Sequence, residues 1–120
     1  MHELSVAQSI IEIIQQHISE SEWECVRAVR LKIGVCAGIV PDSLEFSFQA
    51  ITAESSLRQA KLEIETIPFR IYCNTCKTTT EDNSGFVVCG ICGSADTKII
   101  SGLEMQINEI EITESELEKL

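Results

Sequence analysis

The sequence predicts an α+β fold: a three-stranded sheet with two helices on one face, and a small metal-stapled ribbon inserted before the last strand. Three observations predict it. Two segments repeat apolar residues at helical spacing, other segments alternate apolar with polar residues, and four of the six cysteines fall into C-x2-C pairs.

In the first segment Leu4, Ala7, Ile11, Ile14 and Ile18 follow a 3-4-3-4 spacing, widened by Ile10 and Ile13. Gln8, Glu12, Gln15, Gln16 and Ser19 fill the other side. This predicts an amphipathic helix that begins almost at residue 1 and leaves Met1, His2 and Glu3 at its first turn. His17, near the polar flank, reads as a solvated histidine rather than a ligand. From Cys25 to Val35, Val29, Leu31, Ile33 and Val35 alternate with Arg30, Lys32 and Gly34, the pattern of a strand buried on one face.

Gly34 and Gly38 bracket a turn, and Pro41 opens a second helix at a position that tolerates a missing N–H. Leu44, Phe48 and Ile51 are its expected stripe, with Phe46 and Ala50 beside it. Asp42 and Glu45 sit in its first turn, where capping and dipole compensation are a better use of negative charge than cation binding. A second strand is expected from Lys61 to about Tyr72, interrupted by Pro68 at an edge or an exit from the sheet. The last strand alternates Leu103, Met105 and Ile107 with Glu104 and Gln106. It then shifts parity to Ile110 and Ile112, which predicts a bulge near Asn108. The acidic tail over 113–120 reads as frayed or helical at the surface.

Between these strands lies Cys73-Asn74-Thr75-Cys76, followed after twelve residues by Cys89-Gly90-Ile91-Cys92. Each C-x2-C turn aims two thiolates at one point, and two such turns complete a closed tetrahedral S4 site. Zinc is the usual occupant. Iron in a rubredoxin-like site has the same tetrahedral preference, and two disulfides or a redox dithiol are the other uses of such pairs. Gly90 and Gly93 stand where a knuckle must bend, with Lys77 in the first knuckle at the place of Gly93. The ribbon has too few large apolar residues to fold without its metal. The expected division is therefore 1–70 and 100–120 for the α+β domain, and 71–99 for the inserted ribbon.

A hydrophobic content of 44% suits a globular chain, and a formal charge of −10 is a poor match to a phosphate backbone. Nucleic acid is therefore not an expected partner. No basic n-region precedes the first apolar residues, and no apolar run approaches bilayer length. A cytoplasmic protein without membrane contact is the expectation.

Met1-His2-Glu3 has a specific chemistry of its own. The α-amine, the His2 backbone nitrogen and the His2 Nδ1 can wrap one ion in adjoining chelate rings, with the Glu3 amide nitrogen or carboxylate as a further donor. Nitrogen donors in a plane suit Ni(II) or Cu(II), and binding should strengthen as the amine loses its proton. His2 is bulky, so Met1 is expected to be retained. From these residues alone, an N-terminal histidine with no metal role is the stronger reading.

The opening Met1-His2-Glu3-Leu4-Ser5, the stretch Gly34 to Pro41 with Leu44-Glu45-Phe46, the C-x2-C pairs and Ser101-Gly102 together resemble the HypA/HybF family of hydrogenase-maturation nickel metallochaperones. The similarity covers essentially the whole chain. It implies a nickel-binding domain with a zinc ribbon inserted before the last strand. It also implies nickel held by His2 with the Met1 amine and Glu3 in support, and zinc held by Cys73, Cys76, Cys89 and Cys92. The implied activity is delivery of nickel to the large subunit of NiFe hydrogenase, alongside a GTPase of the same maturation pathway. A homodimer is compatible with the exposed edges of a three-stranded sheet. Cys36 departs from the small hydroxyl residue expected before Gly38, and stands as either an inert side chain or a stray thiol. Cys25 is assigned to core packing. The rival from another class is a zinc-ribbon interaction module that binds protein or nucleic acid and transports nothing. An enzyme ranks third, because no nucleophile–base pair, phosphate loop or catalytic carboxylate pair is evident and an S4 zinc has no room for activated water.

Overall fold

Pro41 opens one helix, Pro68 separates two strands, and Gly102 lies between the last two. The computed structural model describes residues 3–113. In order these form α1 (Glu3–His17), a 3-10 turn (Glu20–Cys25), β1 (Val26–Gly34), α2 (Pro41–Thr52), β2 (Lys61–Ile67), β3 (Arg70–Cys73), β4 (Thr79–Glu81), β5 (Thr97–Ser101) and β6 (Met105–Ile112). One sheet has the order β2-β1-β6 and a second has the order β4-β3-β5. The α+β class, the first sheet and its return strand β6 agree with the sequence reading. The expected tail lies outside the described residues apart from Thr113.

Two compact units divide these elements: one comprises residues up to 31, then 39–64 and from 107 onward, and the other comprises 32–38 and 65–106. In the first, α1 and α2 pack on each other. The face that α1 buries is Val6, Ala7, Ile10 and Ile14, while Leu4 is exposed and Ile11 and Ile13 are half-buried. The stripe is rotated from the expected one because Val6, not Leu4, continues the i, i+4 row through Ile10 and Ile14. On α2, Leu44 and Phe48 are buried as predicted, but Thr52 replaces Ile51 as the third buried residue. The Thr52 hydroxyl donates to the Phe48 carbonyl at 2.8 Å, which satisfies a polar atom that burial would otherwise penalise.

β1 is the middle strand and is buried more fully than alternation predicts. Val29, Leu31 and Ile33 are inside as expected, and so are Val26 and Ala28 on the other parity. Arg30 stands on its polar face and ties the three strands together: it pairs with Glu63 on β2 at 3.4 Å, and with Glu109 and Glu111 on β6, the latter at 2.7 Å. The hydrogen bonds that Arg30 donates to Glu111 and Glu109 raise the guanidinium pKa above its ordinary value. On β6 the half-buried residues are Ile107 and Ile110, so the change of parity around Asn108 is visible in burial.

One expected strand is two. The segment predicted from Lys61 to Tyr72 ends at Ile67, and β3 begins at Arg70 in the second sheet. Pro68 has no N–H to continue a ladder. The next N–H, that of Phe69, goes instead to Asn83 Oδ1 at 3.1 Å. Within the second unit, β3 is the centre of its sheet, antiparallel to both β4 and β5. The stretch 34–38 is held against the base of this unit by main-chain bonds: Gly34 N–H to Glu104 C=O at 2.8 Å, Val35 N–H to Ile67 C=O at 2.8 Å, and Cys36 N–H to Gly102 C=O at 2.9 Å. A Cβ on Gly34 would lie 2.0 Å from the Gly102 carbonyl carbon, and one on Gly102 (φ 113°) would lie 2.6 Å from Phe69 Cα. Both positions need a hydrogen where other residues carry carbon.

Candidate metal centre

Each knuckle is a turn whose first cysteine anchors it. Lys77 N–H donates to the Cys73 carbonyl at 2.9 Å, and Gly93 N–H donates to the Cys89 carbonyl at 3.0 Å. The two turns therefore close in the same way. Both closing residues have left-handed backbone, with φ of 60° at Lys77 and 76° at Gly93. Glycine takes this conformation freely and lysine does so under strain. Gly90, expected to supply a bend, has no positive φ and open space around it, so Gly93 alone serves that purpose.

The same turns point main-chain N–H groups at sulfur. Cys76 N–H donates to Cys73 Sγ at 3.4 Å, while Ile91 and Cys92 N–H donate to Cys89 Sγ at 3.4 and 3.5 Å. Such bonds favour thiolate over thiol. Led by the bond from Cys76, they bring the Cys73 thiol down to about 6, and the Cys89 thiol is lowered by its bonds from Cys92 and Ile91. Cys92 has a lowering bond from Ser94, but it is outweighed by hydrogen bonding to Cys73, by desolvation and by its other sulfur neighbours, and ends at about 11. Four sulfurs this close cannot all carry charge without a cation to share it.

The four Sγ atoms lie within 4.8 Å of one another. Cys73 and Cys92 are 3.6 Å apart, and Cys76 and Cys89 are 3.7 Å apart. A disulfide needs about 2.05 Å, whereas a tetrahedron with metal–sulfur bonds of about 2.3 Å has edges of about 3.8 Å. The donor set fits a tetrahedral metal and not two disulfides. Among the described residues this is the one cluster of histidine, cysteine or acidic side chains with metal-binding geometry. Cys73 and Cys89 are buried, Cys76 is half-buried and Cys92 is exposed.

Cross-knuckle polar pairs, which the spacing of cysteines does not announce, keep the two turns in register. Asn74 Nδ2 donates to Asp96 Oδ1 at 3.1 Å, and the Thr75 and Ser94 hydroxyls are 2.9 Å apart. Thr97 Oγ1 donates to the Val87 carbonyl. Cys36 is away from the cluster, its Sγ 3.6 Å from the Asn83 carbonyl oxygen, and Cys25 is half-buried at the end of the 3-10 turn. His17 caps the end of α1, with Nδ1 2.9 Å from the Ile13 carbonyl.

Of the three amino-terminal candidates, Met1 and His2 lie outside the described residues. Glu3 opens α1, and its carboxylate meets the start of α2: Oε2 accepts from Val40 N–H and Oε1 from the Ser43 hydroxyl, each at 3.4 Å. Neither Val40 nor Ser43 was a candidate from the sequence. The available signal was that no Ser, Thr, Asp or Asn precedes Pro41 to cap the helix.

Residues 1–112 match the family described as HypA, hydrogenase/urease nickel incorporation, metallochaperone. The chain belongs to the HypA family. That is a family of metallochaperones, not of enzymes. Among curated relatives, the hydrogenase maturation factor HypA of Chloroflexus aggregans is 42% identical over 113 residues, covering 92% of this chain and 98% of that protein. The hydrogenase maturation factor HypA of Roseiflexus sp. is 36% identical over 112 residues, covering 92% of this chain and 91% of that protein. The solution structure of the nickel metallochaperone HypA from Helicobacter pylori superposes with a TM-score of 0.62 at 25% identity, covering 93% of this chain and 97% of that one. A second HypA solution structure gives 0.66 at the same 25% identity. None of the described helices is long and apolar enough to cross a membrane.

Proposed function

We propose that this HypA-family chain carries Ni(II) on Met1, His2 and Glu3 and hands it to the large subunit of NiFe hydrogenase, while zinc in the Cys73, Cys76, Cys89 and Cys92 cage maintains the ribbon. The observation that carries this reading is the closure of the sulfur cage. Four ligands at tetrahedral spacing use every position of the metal they hold. A transported ion therefore needs a different place, and the family match takes in Met1, His2 and Glu3.

Nickel is cargo here, so its site must both bind and surrender it. A chelate of amine, backbone nitrogen and imidazole weakens as the pH falls and each donor regains its proton. Sulfur holding zinc in a closed cage offers no comparable exit. Residues 1–70 and 100–120 then form the nickel domain and 71–99 the zinc ribbon. The partners in this reading are the hydrogenase large subunit and a GTPase of the same maturation pathway, in the cytoplasm.

Metal analysis and calorimetric nickel titration of untagged protein test the proposal. The expected result is one tightly held zinc per chain and one titratable nickel. In His2→Ala the nickel should be lost with zinc content unchanged. Tight nickel binding that survives in His2→Ala refutes the amino-terminal assignment.

A further inference from the structure

We propose that Cys92 is the oxidant-sensitive ligand of the sulfur cage. Peroxide attacks there first, and Cys73 then closes a disulfide with it, which frees the metal. The inference rests on the zinc reading of the cage above and extends it from holding the ion to giving it up.

The four sulfurs differ in how far a small oxidant dissolved in water can reach them. Cys73 and Cys89 are buried and Cys76 is half-buried, whereas Cys92 alone is exposed. Oxidation of cysteine follows thiolate character and access. A bound cation keeps all four as thiolates, so access is left to choose among them. Cys92 also lies in an unbroken exposed run, Gly90-Ile91-Cys92-Gly93.

The two knuckles differ in the same sense. Around Cys76 the first turn carries Asn74, Thr75 and Lys77, and the equivalent places around Cys92 are Gly90, Ile91 and Gly93. A Cβ built on Gly90 or on Gly93 would meet no atom within 4 Å. Gly93 is called for by its φ of 76°, but Gly90 has no positive φ and its backbone does not require glycine. Such a glycine weakens a fold by adding freedom to the unfolded chain. What it supplies is open space at the turn that carries the exposed sulfur.

The chemistry balances with hydrogen peroxide as the sole co-reactant. Cys92 Sγ attacks one peroxide oxygen, the O–O bond breaks, hydroxide leaves, and the sulfur becomes a sulfenic acid. Cys73 Sγ, 3.6 Å away across the cage, attacks that sulfur. The S–S bond forms as the S–O bond breaks, and a second hydroxide leaves. Two thiolates have then given two electrons to one peroxide. Only Cys76 and Cys89 remain as donors, half of what a closed tetrahedral site requires. Because the new bond joins one knuckle to the other, its reduction by a thiol returns the same four donors to the same place.

The test treats the zinc-loaded chain with substoichiometric hydrogen peroxide. Dimedone traps sulfenic acid, a chromogenic chelator reads released zinc, and peptide mass mapping places each adduct and disulfide, with Cys25 and Cys36 scored separately. The first cage adduct should fall on Cys92. Without the trap, a Cys73–Cys92 disulfide should accumulate in step with released zinc, and dithiothreitol with added zinc should reverse both. Gly90→Leu, which fills the open space, should slow zinc release about fivefold with zinc content unchanged. A first cage adduct on Cys73, Cys76 or Cys89 overturns the proposal. So does a disulfide that gives Cys92 another partner, or zinc release from Gly90→Leu as fast as from wild type. Zinc analysis before peroxide is added keeps the two readings apart. Protein that carries no zinc removes the cage assignment and this proposal with it, whereas zinc-loaded protein that oxidises in another order removes this proposal alone.

Discussion

In the unit that carries α1 and α2, the large side chains are inside: Phe48, Ile14 and Leu44 are fully buried. In the ribbon, Phe86 is 66% exposed and Ile91 64%, and Val87 and Val88 are also at the surface. Within 71–99 the most deeply buried side chains are those of Cys73 and Cys89. The first unit excludes water with hydrocarbon, whereas the ribbon over 71–99 buries little hydrocarbon beyond Ile71 and gathers four sulfurs around a point. The difference shows why a single short chain can hold one part by burial and another by ligation. Burial needs bulk, which a three-stranded ribbon of short strands lacks, while ligation needs only four atoms in the right places.

If the cage holds zinc as proposed, its removal should have the largest effect. Apparent binding energies of structural zinc run to about 10 kcal/mol or more, and in a small ribbon that is folding energy. A strong chelator, or Cys89→Ser, should collapse the NMR dispersion of residues 71–99 while the resonances of α1 and α2 stay in place. A cooperative loss of both units on chelation would show that they are not separately held. The reverse experiment is smaller. Phe48→Ala should cost the helical unit about 3–5 kcal/mol by emptying a fully buried site, yet leave zinc stoichiometry untouched. Denaturant melting followed with zinc analysis checks both halves of that statement.

The smallest test compares the two knuckles with each other. Lys77 and Gly93 close equivalent turns with φ of 60° and 76°, but only the second is glycine. Lys77→Gly relieves about 1 kcal/mol of left-handed strain, offset in part by the greater freedom of glycine in the unfolded chain. The ribbon should gain a few tenths of a kcal/mol, read as slower zinc loss to a chelator. Faster loss in the variant would show that the lysine side chain contributes more than its backbone costs.

The legible parts of the molecule were those where a local rule had no competitor. Pro41 at the head of α2, the burial of Val29, Leu31 and Ile33 between Arg30 and Lys32 on β1 and the return of β6 to the first sheet are of this kind. So is the cysteine spacing, because a C-x2-C pair converges on one point whatever surrounds it. On α1 the expected row through Leu4 gives way to one through Val6, since several apolar residues stand near the boundary and only packing selects among them. The single strand expected from Lys61 to Tyr72 is two, because Pro68 ends the hydrogen-bonded ladder where the polar and apolar pattern does not. The short strands β4 and β5 have no signature in the sequence, because three to five residues carry too little periodicity.

Composition and spacing alone determined the α+β class, the tetrahedral sulfur cage and the candidacy of the amino terminus, because helix period, strand alternation and chelate geometry are all properties of near neighbours. Tertiary structure decided which glycines admit no side chain, which strands share a sheet, that Arg30 would tie three strands, and that Glu3 would cap a helix 37 residues away in the chain. Those outcomes depend on atoms brought together from distant positions, and no local pattern records a meeting that only the folded chain creates.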